Sequence, residues 1–341
     1  MRYLLISMTA LLGIGVGCQP AQDQETTLSL QRADRIKRSY QGVSLLGDTL
    51  YAPELPSAQQ AQHEAALQAA ERRYEQAPDR LDLMIEWGRY LTQLSRYQEA
   101  IRVFTHGLEK FPASAELHHY RGYCYLVTRQ LNQALQDFQR SAQRLERQPI
   151  DRESVGSDGT VVPLSTDSLP TSLPFEVYYH LGLAHYLTGQ YGPAAEAYEA
   201  CLTHCDTDDE TVMAADWLYL TYRRLGEDEV AERTLGAIRE DTQVEENEGY
   251  LERLLMYKGY VDPDSLLKTV SPTGSATDYR ARRTTVRYGV GSYYLSEGDS
   301  LQGKKIFQEI VAGHHWAALD YLAAEADLAR QRSPSTLPPA E

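Results

Sequence analysis

Three clusters in this chain carry residue types able to do chemistry. Cys201, His204 and Cys205 offer two thiols and an imidazole within five positions, the donors that zinc takes, but no fourth ligand accompanies them. Cys201 falls on a small, inward-facing helical position, and Cys124 on another, where free cysteine packs as a small hydrophobe. A disulfide is open to an exported chain, although a Cys201–Cys205 bridge across one helical turn has poor geometry. The pairs His118-His119 and His314-His315 lack the His-Glu-x-x-His arrangement of a metalloprotease. Asp206 to Glu210, DTDDE, mimics part of a calcium loop without its central glycine or closing glutamate. It reads better as the cap of a helix beginning near Thr211. There is no nucleophile elbow, phosphate loop or dinucleotide motif. The expectation is therefore no catalytic residue, no metal and no cofactor: not an enzyme.

Charge narrows the partners. The 341 residues carry a net charge of −15, with six lysines among 33 basic residues. Nucleic acid, whose phosphates need clustered Lys and Arg, is excluded. So is electrostatic binding to anionic lipid. An acidic, lysine-poor surface suits a salty environment, but compositional drift accounts for it more simply.

The elements that must position these residues repeat. Segments starting at Met84, His118, Tyr178 and Ala215 align, with Gly88, Gly122 and Gly182 in register and Tyr219 at the fourth place. Ala100, Ala134, Ala194 and Ala231 follow, then Phe104, Phe138, Tyr198 and Leu235. A small residue on the first helix lets the second approach, the alanine faces it, and the aromatic fills the gap to the next repeat. Gly189 and Gly226 mark turns between helices, and Pro112 closes the first repeat. A weaker fifth copy carries Gly291, Tyr294, Gly298 and Phe307, with Gly303 where alanine is expected. The pattern resembles the tetratricopeptide repeat (TPR), a helix-turn-helix unit of about 34 residues. The resemblance implies an all-α fold, a right-handed α-solenoid of TPR helix-turn-helix repeats. It divides the chain into an N-terminal helix or cap (57–78), repeats one and two (79–146), a loop insertion (147–174) and repeats three and four (175–240). A helical insertion and loop (241–283), a fifth repeat with a capping helix (284–330) and a disordered tail (331–341) complete it. Within the loop insertion, Asp158-Gly159 suits a tight hairpin turn.

The N-terminus has its own logic. Arg2 precedes the apolar stretch Leu4–Val16, too short to span a bilayer, which takes roughly 20 apolar residues. Small residues then lead to Cys18, as in a secretory signal. The pattern resembles a bacterial lipoprotein signal, with Gly15 where that family has leucine. The resemblance implies a signal peptide at 1–17 and lipidation at Cys18. A polar tether follows within 18–56, and Gln19 after the cysteine favours the outer membrane, facing the periplasm. Attached acyl chains anchor stably when there are two or more, at about 0.8 kcal/mol per buried methylene.

In the TPR family the first helix of each repeat lines a concave groove. Carried over position by position, the lining is Ile85, Arg89 and Thr92; His119, Tyr123 and Leu126; Tyr179, Leu183 and Tyr186; Asp216, Leu220 and Arg223; and Tyr288, Ser292 and Leu295. An aromatic, apolar middle with basic flanks suits a peptide with hydrophobic anchors. The competing reading is that segment 147–174 or 240–283 folds back and fills the groove. The Lys and Asn with which some relatives clamp a C-terminal carboxylate are missing here. The functional expectation is a scaffold in the cell envelope, held to the membrane by the N-terminal lipid and binding a partner protein or peptide. The alternative is a glycan or small-ligand module whose groove tyrosines stack on sugar, allowed by 24 Tyr against 5 Phe.

Overall fold

In a computed structural model, residues 40–53, 57–147, 171–269, 276–313 and 315–332 are described. Cys18, the tether to residue 39, the Asp158-Gly159 turn, His314 and most of the tail lie outside them. Met1–Tyr40 and Gln41–Glu341 form separate units.

Five helix pairs define the architecture: α2 (Leu81–Gln93) with α3 (Tyr97–Lys110), α4 (Ala115–Val127) with α5 (Leu131–Arg147), and α6 (Leu173–Leu187) with α7 (Tyr191–Leu202). The fourth is α8 (Asp208–Leu225) with the short α9 (Asp228–Thr234), and the fifth α12 (Ala276–Ser296) with α13 (Ser300–Val311). Helix α1 (Ser57–Gln76) precedes them and α14 (Leu319–Arg332) closes the chain; α10 (Glu248–Tyr257) and α11 (Pro263–Thr269) are inserted after the fourth pair. The fold is an all-α solenoid of TPR-like repeats. Its small departure is a two-stranded sheet, β1 (Tyr40–Val43) and β2 (Thr49–Tyr51), in the region expected to be tether. That region is held to the repeats: Gln98 Nε2 donates to Gln41 O at 2.6 Å, and Trp316 Nε1 donates to Tyr51 O at 2.8 Å.

One turn design serves all five pairs. Ser95 (φ 53°), Arg129 (φ 64°), Gly189 (φ 78°), Gly226 (φ 76°) and Gly298 (φ 90°) each take the left-handed conformation between first and second helix. The next N–H reaches back five residues, as from Arg96 to Leu91 O and Gln130 to Tyr125 O, satisfying carbonyls that the helix end leaves free. Three turns use glycine, for which this conformation is free of steric cost. Ser95 and Arg129 take it without that freedom.

The glycine on the first helix of the first three pairs meets an aromatic ring rather than the alanine. A Cβ on Gly88 would fall 2.2 Å from the Phe104 ring; at Gly122 it would meet Phe138 at 2.9 Å, and at Gly182 it would meet Tyr198 at 2.8 Å. The same rings also reach the next repeat: Phe104 stacks on Tyr120 at 5.8 Å, and Phe138 on His180 at 5.8 Å. One aromatic thus joins two helices of its own repeat and the first helix of its successor. In the fifth pair Gly303 replaces alanine because α13 lies on backbone, with Gly291 O 2.7 Å from where a Cβ would stand.

Candidate functional site

The face expected to be open is occupied by the chain itself. Tyr179, Tyr186, Tyr288, His119, Leu126, Leu183 and Leu220 are buried, and Ile85 and Tyr123 are half-buried against the core. The groove of solvent-exposed side chains is therefore corrected, and so is the idea that these tyrosines stack on sugar. The 241–283 insertion supplies one covering element, α10. The other is α14, whose sequence suggested only a terminal cap.

Helix α10 enters where Asp209 fixes the preceding loop. Thr207 caps α8 and Glu210 returns the bond, so DTDDE is a capping box. Asp209, in the first turn, accepts from the backbone N–H groups of Glu245, Glu246 and Asn247 at 2.9, 3.0 and 2.8 Å. Burial raises the Asp209 carboxyl, but these donors outweigh it and hold the group below the ordinary carboxylate value. Along α10, Tyr250, Arg253, Leu254 and Met256 point inward. Tyr250 OH lies 3.2 Å from Tyr179 OH, which accepts from Trp217 Nε1 at 2.8 Å. Tyr257 stacks on Tyr219 with centroids 4.3 Å apart.

Arg253 is the centre of this arrangement. Both it and Asp216 are 0% exposed. Its guanidinium meets Asp216 Oδ2 at 2.7 Å and Asp320 Oδ1 at 2.8 Å, and Thr285 donates to Asp320 Oδ2 at 2.8 Å. The rings of Trp217, Tyr250 and Tyr288 surround the cation at 5.6, 5.2 and 5.5 Å. Burial pushes the Asp216 carboxyl up to about 8, against the pull of Arg253 and helped by the charge of Asp320.

Helix α14 runs past the turns at the other ends of the first helices. Tyr288 OH donates to Asp327 Oδ2 at 3.0 Å, and Arg224 pairs with the same oxygen at 2.7 Å. Tyr288 OH also lies 3.0 Å from Tyr186 OH. Arg330 donates to Leu187 O at 2.8 Å, a free carbonyl at the end of α6. Arg223, an expected groove residue, instead pairs with Asp228 and Glu297, each at 2.9 Å.

A second buried polar group spans α4 and α6. His119 Nε2 lies 3.0 Å from His180 Nδ1, and His119 Nδ1 is 3.6 Å from Glu176 Oε2. Thr171 donates to Glu176 Oε1 at 2.7 Å. Burial lowers His119 well below the ordinary histidine value and His180 to about 4, while raising Glu176 to about 7. His118 belongs elsewhere: with Arg121 it holds Asp137, at 3.0 Å. Cys124 and Cys201 are buried in the core, and the Cys205 thiol donates to Cys201 O at 3.6 Å, one turn back.

Sequence reasoning missed Arg253, Asp320, Glu325 and Arg129. Arg253 left one signal: a basic residue in the interior of LERLLMY, on the same face as Tyr250 and Tyr257.

No described protein family matches the chain, and no curated protein matches it in sequence. Among solved structures it is similar to MamA from AMB-1, at 14% identity and a TM-score of 0.38 over 52% of this chain and 89% of that one. It is also similar to Naa15/Naa10 bound to HypK-THB, at 14% identity and 0.34 over 82% and 41%. The TPR domain of P58(IPK) matches at 13% identity and 0.22 over 82% and 96%. Likeness at this level carries neither partner nor activity across.

Proposed function

We propose that the chain is a non-catalytic protein-interaction scaffold of the cell envelope. On this reading it is lipid-anchored through Cys18 at the outer membrane, facing the periplasm, and takes a helix of its partner on the inner face of its repeats. The observation that supports it is α10 seated there. A repeat array that receives an amphipathic helix through buried aromatic anchors and one arginine is built in the manner of a helix-in-groove receptor. Partner binding then proceeds by exchange with α10, at a cost in affinity set by how rarely α10 leaves.

Two measurements test the reading. A metabolically supplied radiolabelled fatty acid is expected to label the protein and not Cys18→Ser, with globomycin leaving a heavier precursor; no label removes the anchor. A photo-crosslinking amino acid in place of Tyr260, which is 56% exposed just beyond α10, is expected to trap a discrete envelope protein. A crosslink pattern no different from the same probe in place of the remote, exposed Leu301 would reject the scaffold.

A further inference from the structure

We infer that the pocket between Asp216 and Asp320 is an arginine-recognition site, filled in cis by Arg253 and open to an arginine on a partner helix once α10 leaves. The identity of the occupant in trans rests on the scaffold reading; the pocket's chemistry does not.

The pocket is built without α10. Asp216 and Trp217 come from α8, Thr285, Tyr288 and Gly289 from α12, and Asp320 from α14. The insertion brings the arginine itself, Tyr250 and Tyr257, whose hydroxyl accepts from Arg253 Nε at 3.4 Å. Gly289 makes the room: a Cβ there would fall 2.5 Å from both Cγ and Nε of Arg253. Two carboxyl groups on two elements meet a planar cation edge-on while the faces of Trp217 and Tyr288 lie beside it. That is the arrangement that selects guanidinium over ammonium, since the fork faces two carboxyl groups at once and the flat cation packs on rings. The site also holds more acceptors than Arg253 uses. Asp216 Oδ1 has no hydrogen-bond partner among the described residues, and Asp216 Oδ2 meets Arg253 as a charge contact rather than an aligned hydrogen bond. The helix that brings the arginine is bounded by a left-handed Gly259 (φ 79°) on one side and by the Asp209-bound loop on the other.

Full-length Arg253→Ala provides the test. Ethylguanidinium is expected to raise its melting temperature by several degrees, ethylammonium at equal concentration not, and wild type with neither. If Arg253→Ala does not fold alone, refolding in ethylguanidinium restores its helical circular dichroism and ethylammonium does not. A labelled peptide of residues 249–258 is expected to bind this variant at least tenfold more tightly than the same peptide with citrulline for arginine. Equal rescue by the two cations, no rescue, or equal binding of the two peptides overturns the inference. A Tyr260 crosslink to an envelope protein that persists in that event leaves the scaffold reading standing, and the two failures are thereby told apart.

Discussion

Arg129 donates to both carboxylate oxygens of Glu325, at 2.7 and 3.2 Å, across 196 positions of sequence. It does so from a left-handed turn where three of the other repeats have glycine, a conformation costing a non-glycine residue about 1–2 kcal/mol. The Trp316 and Tyr321 rings flank its guanidinium, which also donates to Trp316 O, and Leu45 N donates to Glu325. The strained turn is kept because only an arginine there joins the second repeat, α14 and the β1–β2 segment. Glu325→Ala strands a buried cation and is expected to cost about 3–5 kcal/mol in urea unfolding. A loss below about 1 kcal/mol would show that the pair is not what fastens these elements.

The Glu176–His119–His180 group makes stability depend on pH with two opposing signs. Glu176 is raised in the fold, so the folded state holds more protons than the unfolded between about 4.5 and 7. Its contribution falls as pH rises through that window, and Glu176→Gln is expected to stabilise the protein at pH 8 by roughly 3 kcal/mol. His180 is lowered to about 4, so its contribution is lost as pH falls from 6.5. His180→Gln should flatten the acid limb and Glu176→Gln steepen it. Unfolding free energies from pH 4 to 8 that move in parallel for both variants would contradict this.

Gly88→Ala forces a methyl to within 2.2 Å of a ring that is itself fixed between two repeats. The clash outweighs the roughly 1 kcal/mol gained in helix propensity, and overpacking of this kind costs about 1–3 kcal/mol. Phe104→Leu, a loss on its own, is expected to recover part of that cost in the double variant. Strict additivity in a double-mutant cycle would mean that the two sites do not touch.

Asp209 holds three consecutive backbone N–H groups ahead of α10. Asp209→Ala leaves them to water, at about 1 kcal/mol for each bond lost. The amides of Glu245, Glu246 and Asn247 should exchange faster by hydrogen–deuterium exchange, and those of α10 with them, while α4 and α5 stay protected. Unchanged exchange in α10 would mean that its seating does not depend on this loop.

Much of the array was legible in the sequence, because close packing of helix pairs constrains residue size at fixed spacing. The spacing of Gly88, Gly122 and Gly182 against Phe104, Phe138 and Tyr198 marks where two helices touch, and Gly189 and Gly226 mark turns. Thr207 and Glu210 announce a helix start through local hydrogen bonds alone. Arg129 was not legible as a turn residue, since its left-handed conformation is stabilised by a carboxylate far away in the chain. Tyr179, Tyr186 and Tyr288 lie on the inner face of their helices, as the resemblance to the repeat family implies, but the resemblance cannot say whether water or another helix lies opposite.

The sequence by itself determined the local terms: helix pairs, small and aromatic positions, caps, and the acidic net charge. These depend on neighbours within a turn or two, or on composition alone. Only the tertiary structure decided that the inner face is closed. That outcome depends on Arg253 reaching Asp216 and Asp320, and on Glu325 reaching Arg129. A buried charge is tolerated only when its partners arrive from distant elements together, so no single segment of the chain contains the information.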